Sequence, residues 1–121
     1  MVNSHNRKSR SRERPQSAQR QNLDKQILFL HKAMAEKIIA NHGFIPQIQH
    51  TIETRYASGK MRHGAYLFWS TLLEYVHEPE IFINQVLDES PQITKYRRQT
   101  AFVGVLTEEE RQAVLEQLIF S

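Results

Sequence analysis

The densest chemistry in this chain lies in Arg55-Tyr-Ala-Ser-Gly-Lys-Met-Arg-His-Gly-Ala-Tyr66, where Arg55, Lys60, Arg62 and His63 sit among Tyr56, Tyr66 and two glycines. Guanidinium and ammonium groups pair with phosphate oxygens, and aromatic rings offer faces on which bases stack, so this mixture suits a nucleic-acid strand or another polyanion. The glycines let a phosphate approach backbone N–H groups at the start of the next helix. The spacing matches neither a P-loop nor a dinucleotide fingerprint. A second cluster, Lys95-Tyr-Arg-Arg98, has the same basic and aromatic composition. The candidate anion or nucleic-acid contacts are therefore Arg55, Lys60, Arg62, His63, Tyr66, Lys95, Arg97 and Arg98. Arg111 joins them only if the last helix packs close by. The competing assignment is structural: Arg55 complements a helix C-terminus, the glycines serve a turn, the tyrosines belong to the core, and the second cluster is solvated or pairs with Glu108 to Glu110. Proximity of the two clusters decides between these assignments.

Other chemistries find less support. Cysteine is absent, which removes disulfides, thiolate nucleophiles and thiolate metal sites together. Of the six histidines, His77 begins a His77-Glu78-Pro79-Glu80 run that resembles a zincin helix. Isoleucine occupies position 81, where the second ligand belongs, and Pro79 breaks the helix that would present it. Ser58, Ser70 and Ser90 have turn, helix-face and capping explanations, and none sits in a nucleophile elbow. Glu74, Glu78 and Glu80 around His77 read as charges at a helix end rather than an acid–base pair. No catalytic, cofactor or metal residue is assigned, and the chain is expected not to be an enzyme. An enzyme acting on an anionic metabolite through Arg62, His63 and Arg97 is the most distant reading.

The net charge of +3 conceals a split. Residues 1–22 hold six cations (Arg7, Lys8, Arg10, Arg12, Arg14, Arg20) against Glu13, which leaves ten basic and twelve acidic side chains in residues 23–121. The body is thus mildly acidic and the high pI belongs to the tail. With so few apolar residues the tail has little surface to bury, and disorder is the expectation for 1–22, with one helical domain over 23–121. An arginine-rich arm of this kind neutralises phosphates and releases counterions. It contains no apolar core of a signal sequence, and no later run is long enough to span a bilayer, so a cytoplasmic location without a membrane partner is expected.

The elements that must carry these groups are helical. Leu23, Ile27, Leu30, Met34 and Ile38 recur at helical spacing over about 23–41, with Asn22 as N-cap and Gly43 as a left-handed C-terminal cap. Pro46 opens a second helix carrying Ile45, Ile48, Ile52 and Tyr56 on one side, closed by Ser58-Gly59. Ala65, Phe68, Trp69, Leu72, Leu73 and Val76 form a stripe so broad that the helix over 65–77 is expected at the centre. A helix-turn-helix reading of 46–76 fails because this face is apolar and lacks groups to read base edges. Pro79 starts a fourth helix. Ser90-Pro91 caps a fifth, with Ile93 and Tyr96 inward and Lys95, Arg97 and Arg98 outward. The segment Thr100 to Leu106 reads as a buried connector, since a lone strand has no partner. Thr107 to Glu110 is a capping box that opens a last helix, over about 108–119, with Val114, Leu115, Leu118 and Ile119 inward.

The fold class expected is therefore all-α, a compact bundle of five to six short helices. The function expected is that of a small cytoplasmic regulatory protein associating with RNA, DNA or the ribosome through the tail and a basic-aromatic patch. The alternative is a protein-interaction module or homodimer, motivated by the surplus of Phe29, Phe44, Phe82, Phe102 and Phe120.

Overall fold

A computed structural model describes residues 3–120, with side chains for residues 18–120. Its elements are α1 (Asn3–Ala40), α2 (Ile45–Ala57), α3 (His63–Leu73), α4 (Pro79–Val86), α5 (Pro91–Arg98) and α6 (Glu108–Phe120), with a short 3-10 turn at His42–Phe44. No strand forms among the described residues. The protein is all-α, as its periodicity predicts. The expected disorder of 1–22 falls largely on residues 1–17, whose side chains lie outside those described, while residues 18–22 belong to α1. Asn22 is not an N-cap, because α1 is already helical upstream of it.

Helix α1 is the element on which α4, α5 and α6 all pack, while α3 packs on α2 and α4. Met34, Ala35 and Ile38 are buried on its inner side. The expected central helix delivers Trp69, Leu72 and Leu73 to the core, but Leu67 on its other side is half exposed. This helix ends at Leu73 rather than 77. Beyond it Tyr75 N–H donates to the Leu72 carbonyl and Glu78 N–H to that of Tyr75, three residues back in each case. The ladder tightens there because Pro79 excludes the α conformation from Glu78, whose φ and ψ are −123° and 82°.

Trp69, Phe82 and Phe102 are the largest fully buried side chains. The Trp69 and Phe102 rings meet edge to face at 5.2 Å, and Phe68 meets Trp69 in the same way at 5.0 Å. Each such pair contributes about 1 kcal/mol beyond the area it buries. Phe102 comes from the connector after α5, which also buries Ala101 and Val105. The connector turns at Gly104, whose φ of 80° is the left-handed region that favours glycine.

Three local expectations are corrected. Gly43 is not left-handed; it lies in the 3-10 turn and donates its N–H to Asn41 Oδ1 at 2.9 Å. Arg97 does not point outward: it is 3% exposed. Helix α6 buries no residue completely, and Ile119 is 73% exposed. Its capping box is as predicted, with Glu110 N–H donating to Thr107 Oγ1 and Thr107 N–H to Glu110 Oε1.

Candidate anion-binding cleft

Helix α2 ends in a Schellman motif: Lys60 N–H donates to the Arg55 carbonyl at 2.8 Å and Gly59 N–H to the Tyr56 carbonyl at 3.2 Å. The motif needs a left-handed residue at Gly59, where φ is 79°. It folds the chain back so that Met61 is buried and Arg62, with extended backbone, becomes the N-cap of α3. Arg55, Lys60 and Arg62 thereby cluster around one helix-to-helix turn.

Across from that turn lies α5. Arg55 Nη1 donates to the carbonyls of Thr100, at 2.8 Å, and Gln99, at 3.3 Å. One guanidinium thus satisfies carbonyls at the C-terminal end of α5 while belonging to the last turn of α2. This bridge brings the two basic clusters onto one face. They line a single cleft of about 690 Å³, to which Arg55, Lys60, Arg62, Lys95 and Arg98 all contribute. Met61, Ala65 and Trp69 form its apolar part, Gln92 and Gln99 its neutral polar part, and no Asp or Glu lines it.

The five cations are not equivalent. Arg55 is committed to carbonyls. Arg98 donates Nε to Asp24 Oδ1 at 2.9 Å and Nη2 to Asp24 Oδ2 at 2.7 Å. This pair holds the Asp24 carboxyl below its ordinary range and raises the Arg98 guanidinium above its own. Lys60, Arg62 and Lys95 are exposed and have no ion pair or hydrogen-bonded partner for their cationic groups among the described residues. They are the groups open to an external anion.

Tyr96 shapes the opposite wall. Its hydroxyl accepts from Gln92 Nε2 at 2.9 Å, and its ring lies 5.4 Å from that of Phe68. A Cβ at position 64 would stand 2.8 Å from that hydroxyl, so Gly64 lets the first turn of α3 come this close to Tyr96 without displacing its ring.

The remaining predicted contacts lie elsewhere. His63 and Tyr66 do not line the cleft. Tyr56 and Tyr66 stack at 4.0 Å, and His63 Nδ1 lies 2.9 Å from the Tyr56 hydroxyl. Tyr66 donates to Glu53 Oε2, which holds its phenol above the ordinary value. Arg97 Nη1 donates to the carbonyls of Val86, at 2.8 Å, and Asp88, at 2.6 Å, closing the C-terminal end of α4. Burial lowers its pKa, against the pull of Glu89, Asp24 and Asp88. Arg111 reaches Glu108 Oε2 and is not a cleft residue.

Sequence reasoning missed Asp24, Gln92 and Gln99. Gln92 stands four residues before Tyr96, a spacing that predicts their contact. Nothing local marks Asp24 as the partner of a residue 74 positions away. Among the described residues no group of three or more His, Asp or Glu side chains is placed to hold a metal ion, and no helix is long and apolar enough to cross a membrane. Compared with known protein families, curated proteins and solved structures, the chain matches none.

Proposed function

We propose that this is a small, non-enzymatic, cytoplasmic regulatory protein that binds nucleic acid through the cleft between α2, α3 and α5, with the basic N-terminal segment as an accessory electrostatic arm. The observation that carries this reading is the convergence of Arg55, Lys60, Arg62, Lys95 and Arg98 on one concavity without a lining acid. In a body that is otherwise mildly acidic, such a concentration of one sign attracts phosphate. What supports a contribution from the basic segment is that it lies on the same helix, α1, as Asp24, the ion-pair partner of the cleft residue Arg98.

Binding of the full-length protein to generic RNA and DNA oligonucleotides over about 50 to 300 mM salt tests the reading. Affinity should fall steeply as salt rises, since each neutralised phosphate releases counterions. Undetectable or salt-insensitive binding to both would overturn it.

A second reading, protein association, is favoured by one observation: Ile119 and Phe120 at the end of α6 are 73% and 84% exposed. Exposed apolar side chains at adjacent positions suit burial against another chain. Light scattering at two concentrations should then show a mass that rises with concentration, and Phe120→Asp should abolish the rise. A constant monomer mass counts against self-association.

A further inference from the structure

The proposed function leaves open whether the cleft takes a duplex or a single strand. A duplex is gripped by an element that protrudes into its groove, where side chains on a convex helix or ribbon meet base edges and flanking phosphates. Here the geometry is inverted. Lys60, Arg62 and Lys95 line a hollow whose floor includes the buried Trp69 and whose wall is Tyr96. A volume of about 690 Å³ lies in the range of sites that enclose small molecules, at about 300–1,000 Å³, far below what a double helix occupies. The bases of a duplex are paired inside a rigid cylinder and cannot enter the hollow. One flexible strand can offer phosphates to these three exposed side chains and a base to the hollow at once, because its backbone bends and its bases are free to turn.

Resting on the nucleic-acid reading above, we infer that the cleft is a single-strand site: Lys60, Arg62 and Lys95 hold successive phosphates, and a base packs beside Tyr96. Recognition is sequence-tolerant, because the cations address the backbone and an aromatic face accepts any base. Gln92 uses one N–H on the Tyr96 hydroxyl, so its other N–H and its Oε1, together with the Gln99 amide, are the neutral groups in the lining that a base edge can meet.

The test uses the full chain and fluorescence anisotropy with labelled oligo(dT), oligo(rU) and a mixed-sequence duplex, each of about 20 nucleotides per strand. Three proteins are compared: wild type, Lys60→Glu/Lys95→Glu, and Lys25→Glu/Lys32→Glu, which makes the same change in net charge on exposed residues of α1 outside the cleft. Far-ultraviolet circular dichroism confirms that each is folded. The cleft variant should lose about ten-fold or more in single-strand affinity, and its log–log salt slope should fall by about 1.4, at 0.7 per lost contact. On the duplex it should lose no more than the control variant. The dT and rU arms separate a strand site common to DNA and RNA from one that needs the ribose hydroxyl. Equal single-strand losses in the cleft and control variants, or an equal loss of duplex binding in the cleft variant, would overturn the single-strand site and leave the nucleic-acid reading standing. Wild-type protein that binds none of the three oligonucleotides overturns both.

Discussion

Arg98 and Asp24 form a bidentate ion pair, at 2.9 and 2.7 Å, that joins the rim of the cleft to α1. The Asp24 side chain is 19% exposed and that of Arg98 33%, so the pair is partly solvated. Its net worth to stability is about 1 kcal/mol or less. For ligand binding the same carboxylate is a competitor for the guanidinium.

Asp24→Asn should therefore cost little stability and strengthen nucleic-acid binding. The expected gain is a few-fold, since about 1 kcal/mol of competing interaction corresponds to roughly five-fold in affinity. Anisotropy titrations of the variant and wild type at one salt concentration measure it. Unchanged or weaker binding would show that Arg98 takes no part.

The adjacent arginines of α5 should separate cleanly. Arg97→Ala removes a buried guanidinium and strands the carbonyls of Val86 and Asp88, at a cost of about 3 kcal/mol. Arg98→Ala gives up only the partly exposed pair and should lower binding with stability nearly intact. Denaturant midpoints set beside anisotropy titrations distinguish them. Similar stability losses in both variants would contradict the placement of Arg97.

Gly64→Ala drives a methyl group to within 2.8 Å of the Tyr96 hydroxyl and should destabilise, by about 1–2 kcal/mol, although alanine is the better helix former. Removing the obstructing atom reverses the sign: Gly64→Ala/Tyr96→Phe should be more stable than Gly64→Ala alone. Thermal unfolding of the single and double variants reads the coupling. Additive effects would mean that positions 64 and 96 do not meet.

His31 gives a pH dependence. Its Nδ1 lies 2.8 Å from the Ile27 carbonyl, which can only accept, so that nitrogen carries the proton and Nε2 accepts from the Thr100 hydroxyl at 2.7 Å. Burial between Trp69 and Phe102 lowers the pKa to about 4 from 6.5. As pH falls through 6.5 the unfolded chain takes up a proton that the folded chain refuses. The His31 contribution to stability is thus complete above 6.5 and declines to about 3 kcal/mol lower near pH 4. His31→Gln should be less stable than wild type at pH 7.5 and should show a shallower decline between pH 6.5 and 4.5 in denaturant titrations. Parallel profiles would place the titration elsewhere.

Much of the architecture was legible because its signals are local. Pro46, Pro79 and Pro91 each fall in the first turn of a helix, Gly59 provides the left-handed turn after α2, and Thr107 with Glu110 makes the reciprocal cap of α6. The burial of His31 and Arg97 also agrees with helical spacing. His31 falls on the stripe Ile27, Met34 and Ile38 at helical spacing, and Arg97 stands four residues after Ile93, one step past Tyr96. The charge of Arg97 points to the surface, and its burial depends on acceptors for its Nη atoms at Val86, Asp88 and Thr94 that no local pattern reveals. The inner face of α6 failed for another reason: periodicity says which residues lie together, not how far along its length a neighbour covers them.

By itself, then, the sequence determined an all-α bundle of five to six helices, the proline starts, the Gly59 turn and the reciprocal cap of α6, the cysteine-free chemistry and the charge contrast between residues 1–22 and the body. These depend on residues within four or five positions of each other, where backbone geometry fixes the distances. The cleft was decided by tertiary structure. Arg55 reaches the carbonyls of Gln99 and Thr100, and Arg98 reaches Asp24, across 44, 45 and 74 positions. Contacts of that range follow from how helices pack, and packing alone turned two scattered basic segments into one concavity while directing Arg97 into the core and Arg98 to the rim.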